Sequence, residues 1–222
     1  MSSRDIDQHQ LHGIPPVLLR RRDRSPVIPG RTWLVPLLLV ACKKDSREDE
    51  RRPPAAPPAF TWGVPEGWRS ETIPFPLEFA PDIPHRGVEE LRFAPGFFQS
   101  SAPGWWTYAF AWVVSDAGAL DMSTLAAELT TYFRGLTATV AHSKKDLPAL
   151  DLARIRARIG ADGHGSVLTY DAFGDGREIQ LDVTVAVQPC GAGKAVLFTA
   201  APRGRPPLAP SPREVLDSFR CR

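Results

Sequence analysis

Residues 179–187 alternate between apolar and polar side chains, and this pattern constrains the fold more than any other part of the chain. The apolar positions are Ile179, Leu181, Val183, Val185 and Val187, and they alternate with Gln180, Asp182, Thr184 and Ala186. A period of two is typical of a strand with one buried face. Because such a strand cannot bury that face alone, the chain must supply further strands and a covering layer.

Other segments supply these strands. Strand character recurs at residues 68–73, 88–93, 105–114, 153–159, 167–173 and 195–200. Glycine-rich turns at residues 174–176 and 191–193 favour antiparallel pairing of the later strands. Prolines between residues 65 and 95 restrict the early strands to short or edge positions.

One main helix is predicted at residues 121–136. Its apolar stripe consists of Leu125, Leu129, Tyr132, Phe133 and Leu136, and these positions recur at helical spacing. Asp121 or Ser123 can cap its start, and Gly135 marks its expected end. Pro212 opens a short last helix that runs to about Phe219. The predicted fold class is α+β, with a mostly antiparallel sheet of about six to seven strands, one main helix and a short C-terminal helix packed on it.

The N-terminal segment has the layout of an export signal. Several arginines precede a nine-residue apolar run at residues 33–41, which is too short to span a bilayer, since a spanning helix needs about 20 residues. The run ends in Leu39-Val40-Ala41-Cys42, which resembles the lipobox of bacterial lipoproteins. That resemblance implies cleavage before Cys42 and lipid attachment to it. The alternative is a short buried strand or helix that ends in a cysteine.

The predicted organisation therefore has three parts. Residues 1–41 are the signal peptide, although Val27 is an alternative start. Residues 42–60 hold the lipidated Cys42 and a charged, proline-rich tether, a composition that favours extended or disordered chain. Residues 61–222 are a single α+β domain. The expected location is exported and lipid-anchored, on the cell membrane or outer membrane, with the domain facing the periplasm or the exterior.

Two resemblances concern the domain itself. Val215-Leu216-Asp217-Ser218-Phe219 is similar to the final helix of PsbP-like domains. The segments FPLEFAP, GVEELRFAPG, WTYAFAW and YFRGL resemble an uncharacterised bacterial protein family, which implies no particular activity.

The charge distribution argues against a nucleic-acid partner. Of the 27 basic and 25 acidic residues, six arginines and three aspartates lie in residues 1–41, so residues 42–222 carry a net charge of −1. A near-neutral domain offers no electrostatic reason to bind a polyanion such as DNA or RNA. The expected partners are the membrane, through the lipid anchor, and an envelope protein or glycan.

Two side-chain rows are candidate binding surfaces. Trp106, Tyr108, Phe110 and Trp112 share one face of the strand at residues 105–114, where they form either core under the main helix or an exposed platform for sugar rings. Arg154, Arg156 and Arg158 form a ladder that either meets an anionic ligand or pairs with acids on the next strand.

No pattern predicts a catalytic or metal site. His85, His142 and His164 lack metal-ligand spacing, so no metal or other cofactor is expected. Gly191-Ala192-Gly193-Lys194 is not a phosphate loop, because such a motif needs Gly where Gln188 stands and Ser or Thr where Ala195 stands. His164, between two glycines, is either an exposed acid–base group or a plain loop histidine.

Cys190 and Cys221 are the only cysteines besides Cys42. In an oxidising compartment they are expected to form a disulfide, and the alternative is two free buried thiols. The sequence thus favours a non-enzymatic binding or envelope-support domain of unknown ligand. The alternative is a cell-envelope hydrolase or other enzyme with an unrecognised site.

Overall fold

The computed structural model describes residues 60–115, 120–144 and 146–222. The predicted leader, the predicted lipidation site Cys42 and the predicted tether lie outside these residues, except that Phe60, placed at the end of the tether, begins β1. In chain order the elements are β1 (Phe60–Thr61), β2 (Arg69–Pro74), β3 (Gly87–Phe93), β4 (Tyr108–Val114), α1 (Met122–Ser143), a 3₁₀ turn (Leu152–Arg154), β5 (Arg156–Ile159), β6 (His164–Tyr170), β7 (Glu178–Cys190), β8 (Gly193–Pro202), α2 (Pro212–Leu216) and β9 (Arg220–Cys221).

Seven strands form one sheet in the order β2-β3-β4-β8-β7-β6-β5. Every neighbouring pair is antiparallel. The strands β4 and β8 are central, and Phe110 lies opposite Leu91 on one side and Phe198 on the other. The α+β prediction, with six to seven antiparallel strands, one main helix and a short C-terminal helix, is confirmed.

The helix α1 covers one face of this sheet. Asp121 caps its start, because the Asp121 carboxylate accepts a hydrogen bond from the backbone N–H of Thr124 at 2.8 Å. Its predicted stripe is buried at Leu125, Leu129, Tyr132 and Phe133, whereas Leu136 is half-buried. The apolar residues of β7 that alternate in the sequence point to this same core.

Gly135 does not end α1, which continues to Ser143. A Cβ atom at position 135 would lie 1.8 Å from the carbonyl oxygen of Phe79. Gly135 therefore allows the chain at Phe79 to lie directly against the helix, which is a packing role and not the expected C-terminal capping role.

The C-terminal segment and β1 cover part of the opposite face. Trp62, Val215, Leu216 and Phe219 are buried there over the small side chains of β4 and β8, and Trp62 Nε1 donates a hydrogen bond to the carbonyl oxygen of Val215 at 2.9 Å. The sequence predicted helices on one face only. Both faces of the central strands are apolar, so a second layer is needed to bury them.

Three predicted elements are shorter than expected. The strand predicted at residues 105–114 begins at Tyr108, because Trp106 has a φ angle of 51°, outside the extended region. The strand predicted from residue 153 begins at Arg156, after the 3₁₀ turn. The last helix, predicted to about Phe219, ends at Leu216.

None of the helices in the described ranges is both long enough and apolar enough to cross a membrane.

Candidate functional site

The aromatic row of β4 lies inside the core. Tyr108, Phe110 and Trp112 are at most 2% exposed. Phe110 stacks on Phe198, with ring centroids 4.4 Å apart, and on Tyr132 of α1, at 5.8 Å. The platform suggested for Trp106, Tyr108, Phe110 and Trp112 is therefore wrong, because the helix fills the space that a sugar ring would need.

Trp106 is buried as well, although it lies before the strand. Its indole Nε1 donates to the buried carboxylate of Asp171 at 2.8 Å. The same Asp171 oxygen accepts from the backbone N–H of Gly174 at 3.0 Å. Asp171 thereby joins the β3–β4 loop to the β6–β7 turn, a role that compensates for the unusual backbone of Trp106.

Glu89 is the one fully buried acid on the α1 side of β3 among the described residues. Its carboxyl group accepts a hydrogen bond from Trp112 Nε1 at 3.1 Å, while its second oxygen has no hydrogen-bond donor within the described part of the chain. Burial raises the pKa of Glu89 to about 8, although contacts with Trp112 and Tyr132 oppose this increase. Glu89 is therefore largely protonated at neutral pH, and it is enclosed rather than presented to a ligand.

His85 lies in the same layer and pairs with α1. Its Nε2 is 3.0 Å from Glu128 Oε2, and its ring is nearly fully buried beside Phe75 and Trp112. The other two candidate histidines are exposed, His142 in the last turn of α1 and His164 at the start of β6. The three histidines do not converge, and no cluster of potential ligands that could hold a metal ion occurs in residues 60–115, 120–144 and 146–222.

The arginine ladder is divided between two elements. Arg154 lies in the 3₁₀ turn and forms an ion pair with Glu178 at 2.7 Å. Arg156 and Arg158 lie on the edge strand β5, exposed, opposite Leu168 and Ser166 respectively. The expected pairing with acids on the next strand does not occur in the described residues, because the facing positions on β6 are uncharged and Glu178, the partner of Arg154, lies on β7.

An open groove of about 400 Å³ lies on the face opposite α1, and we call it the β6–β8 groove. Its floor is formed by Thr184, Thr199 and Ala201, and its walls by His164 and by Arg213 at the start of α2. The C-terminal segment packs over β4, β8 and the last residues of β7, where Cys221 meets Cys190, but leaves β6 and the rest of β7 largely uncovered. The edge of this covering layer produces the groove, whose volume suits a small ligand or one segment of a polymer.

Polar groups converge in this groove. Thr184 Oγ1 and Thr199 Oγ1 are 2.6 Å apart. The carboxylate of Asp182 accepts two hydrogen bonds from the Arg203 guanidinium, at 2.7 and 2.9 Å. Arg213 lies 3.1 Å from Asp217. These groups can orient a polar ligand, but no hydroxyl or thiol in the described residues donates a hydrogen bond to a histidine, the geometry that activates a nucleophile.

The sequence identified His164 in this groove but not the other members. Asp182 and Thr184 were recognised only as residues on the outer face of a strand. The alternation of apolar and polar residues shows which side chains are exposed, but not whether the exposed surface forms a groove. The contributions of Thr199 and Arg213 depend on how the C-terminal segment folds back, which no local pattern encodes.

The two predicted cysteines are brought together. Cys190 at the end of β7 and Cys221 in β9 have Cα atoms 5.0 Å apart, and their sulfur atoms are at bonding distance. They fix the C-terminus to the sheet beside Phe60, where β1 pairs with β9.

Comparisons with known proteins identify no relative. No protein-family model, no curated protein and no solved structure matches the chain.

Proposed function

We propose that this chain is an exported lipoprotein, anchored through lipid on Cys42, whose domain binds an envelope ligand or partner at the β6–β8 groove without catalysing a reaction. The observation that carries the binding role is the groove itself, where His164, Arg213 and the Thr184–Thr199 hydroxyl pair converge on an open surface. By contrast, the aromatic row and the buried acid Glu89 lie within the packed core.

Two observations support the proposed location. The Leu39–Cys42 motif follows a basic leader, and the only two remaining cysteines lie at disulfide distance. Paired cysteines are typical of proteins in oxidising compartments outside the cytoplasm. A lipid on Cys42 would place the domain in such a compartment and hold it near a membrane surface.

Site-specific photo-cross-linking in intact cells tests the binding role. A photoreactive side chain at Ser166, which is half-buried on β6 and opposite Asp182, should form adducts with the envelope ligand. The matched control is the same group at Ala127, an exposed position on α1 and thus on the other face of the sheet. Equal adduct formation at both positions, or none at Ser166, would contradict the proposal.

A further inference from the structure

We propose that the β6–β8 groove, together with the adjoining arginines of β5, binds a ligand that carries more than one phosphate or carboxylate group. This inference rests on the proposed binding function and names the chemistry of its ligand. It depends on which arginines near the groove form ion pairs with carboxylates and which do not.

The arginines of β5 are the first part of the argument. Ala157 and Ile159 turn toward the core, so Arg156 and Arg158 project from the groove side of the sheet. Neither forms an ion pair within the described part of the chain, and the guanidinium of Arg156 donates only to the carbonyl oxygen of Arg154. Two neighbouring cations on one exposed strand face repel each other unless an anion lies between or beside them.

Acids near the groove do not cancel these charges. Asp182 is already matched by Arg203, and Asp217 by Arg213. The carboxylate of Glu214 accepts hydrogen bonds from the backbone N–H and hydroxyl of Ser211, which cap α2. No carboxylate of the described residues pairs with Arg156 or Arg158, so the strip that begins at β5 keeps two unmatched positive charges at that end, even though residues 42–222 as a whole are close to neutral.

Hydrogen-bond donors continue this strip across the floor of the groove. Each threonine hydroxyl has a single proton, so in the Thr184–Thr199 pair one proton forms the 2.6 Å contact and the other remains to be donated. Thr199 is 9% exposed, so packing holds this hydroxyl pair in a fixed place. His164 faces Thr184 from the next strand, and Arg213 lies beyond Thr199.

The spacing indicates a ligand with several anionic groups. From β5 to β8 the strip crosses three strand intervals, which corresponds to roughly 14 Å at about 4.8 Å per interval. A single phosphate or carboxylate can meet Arg158 and Arg213 only where both side chains extend toward it. A chain of such groups can contact the arginines of β5 and Arg213 where they lie.

Calorimetric titration of the full-length protein at low salt tests the inference. Tripolyphosphate and citrate serve as phosphate and carboxylate probes, with orthophosphate as the single-group comparison. We expect tripolyphosphate or citrate to bind at least about tenfold more tightly than orthophosphate, and the tighter of the two identifies the anion class.

The decisive variant is Arg156→Gln/Arg158→Gln, expected to weaken binding of the tighter probe about tenfold, with a smaller loss for Arg213→Gln. The matched control is Arg134→Gln/Arg220→Gln. It removes the same charge from α1 and β9, where each guanidinium contacts only backbone carbonyls. Control binding within about twofold of the parent supports the assignment.

Two outcomes would overturn it. An equal loss in both double variants would mean that net charge alone attracts the probes. No measurable binding of either probe by the parent would also refute the anionic ligand. If the Ser166 cross-link still formed in that case, the proposed binding function would stand and only its ligand class would be wrong.

Discussion

The Glu89 carboxyl group accepts a hydrogen bond from the indole nitrogen of Trp112 at 3.1 Å, inside the layer between the sheet and α1. Position 89 lies directly opposite position 112 in the β3–β4 register. The register thus places an ionisable group within an aromatic core, where its charged form is poorly solvated.

Stability should therefore decrease as the pH rises. The pKa of Glu89 is raised from 4.5 to about 8, so the folded state retains a proton that the unfolded state loses. The stabilisation that the protonated Glu89 allows is fully present below pH 4.5 and is lost as the pH rises through about 8. The total loss should be about 3–5 kcal/mol. Urea melts from pH 5 to pH 9 measure it.

Glu89→Gln should flatten that profile. The amide oxygen can still accept from Trp112, but the side chain no longer ionises, so the variant should exceed the parent in stability at pH 9. Glu71, whose pKa burial also raises, should leave a smaller residual slope. Parallel profiles for parent and variant would show that Glu89 is not responsible.

Phe110→Ala should destabilise the protein by about 3–5 kcal/mol, because it removes a buried ring that stacks on both Phe198 and Tyr132. The matched control is Phe98→Ala, the same change at a ring that is 37% exposed, which should cost less than half as much. Denaturant midpoints of both variants provide the comparison. An unchanged midpoint for Phe110→Ala would refute the core assignment.

Gly135→Ala should be destabilising by about 1–3 kcal/mol. In an exposed helix position the same change would stabilise by about 1 kcal/mol, but here the new methyl group would overlap the carbonyl of Phe79. Ala127→Gly, at an exposed position of the same helix, measures how much stability the difference in helix propensity between alanine and glycine contributes. A gain of stability in Gly135→Ala would mean that helix propensity outweighs the close contact.

Reduction of the Cys190–Cys221 pair should lower the free energy of unfolding by roughly 3–4 kcal/mol, since the cysteines are separated by 31 positions. Cys190→Ser/Cys221→Ser should show a similar loss and no further response to reductant. Peptide mapping under non-reducing conditions tests the bond directly. Two alkylatable thiols in protein taken from the cell envelope would contradict it.

Cys42→Ala should move the bacterially expressed protein from the detergent phase to the aqueous phase of a detergent extraction. The expected cause is loss of the acyl chains that we propose for Cys42. Lys43→Ala, a change at the neighbouring position, should leave the protein in the detergent phase. Partition of the parent itself into the aqueous phase would refute lipid anchoring.

Sequence and structure agree best where a pattern is local. The strand at residues 179–187 and the stripe of α1 were predictable because hydrophobic periodicity directly reports which side of an element is buried. The pairing of Cys190 with Cys221 was predictable because the sequence contains no other cysteine besides Cys42. The aromatic row of β4 was ambiguous, because an apolar strand face fits either a core or an exposed platform.

The sequence alone determined the α+β class, the main helix and most strands, since these follow from side-chain periodicity over short stretches. Tertiary structure decided that Tyr132 closes over Phe110, that Gly135 serves a close contact, and that Glu89 is enclosed. It also decided that the C-terminal segment leaves β6 and most of β7 uncovered and so creates the groove on this face. Each of these depends on contacts between residues far apart in the chain, which only packing can specify.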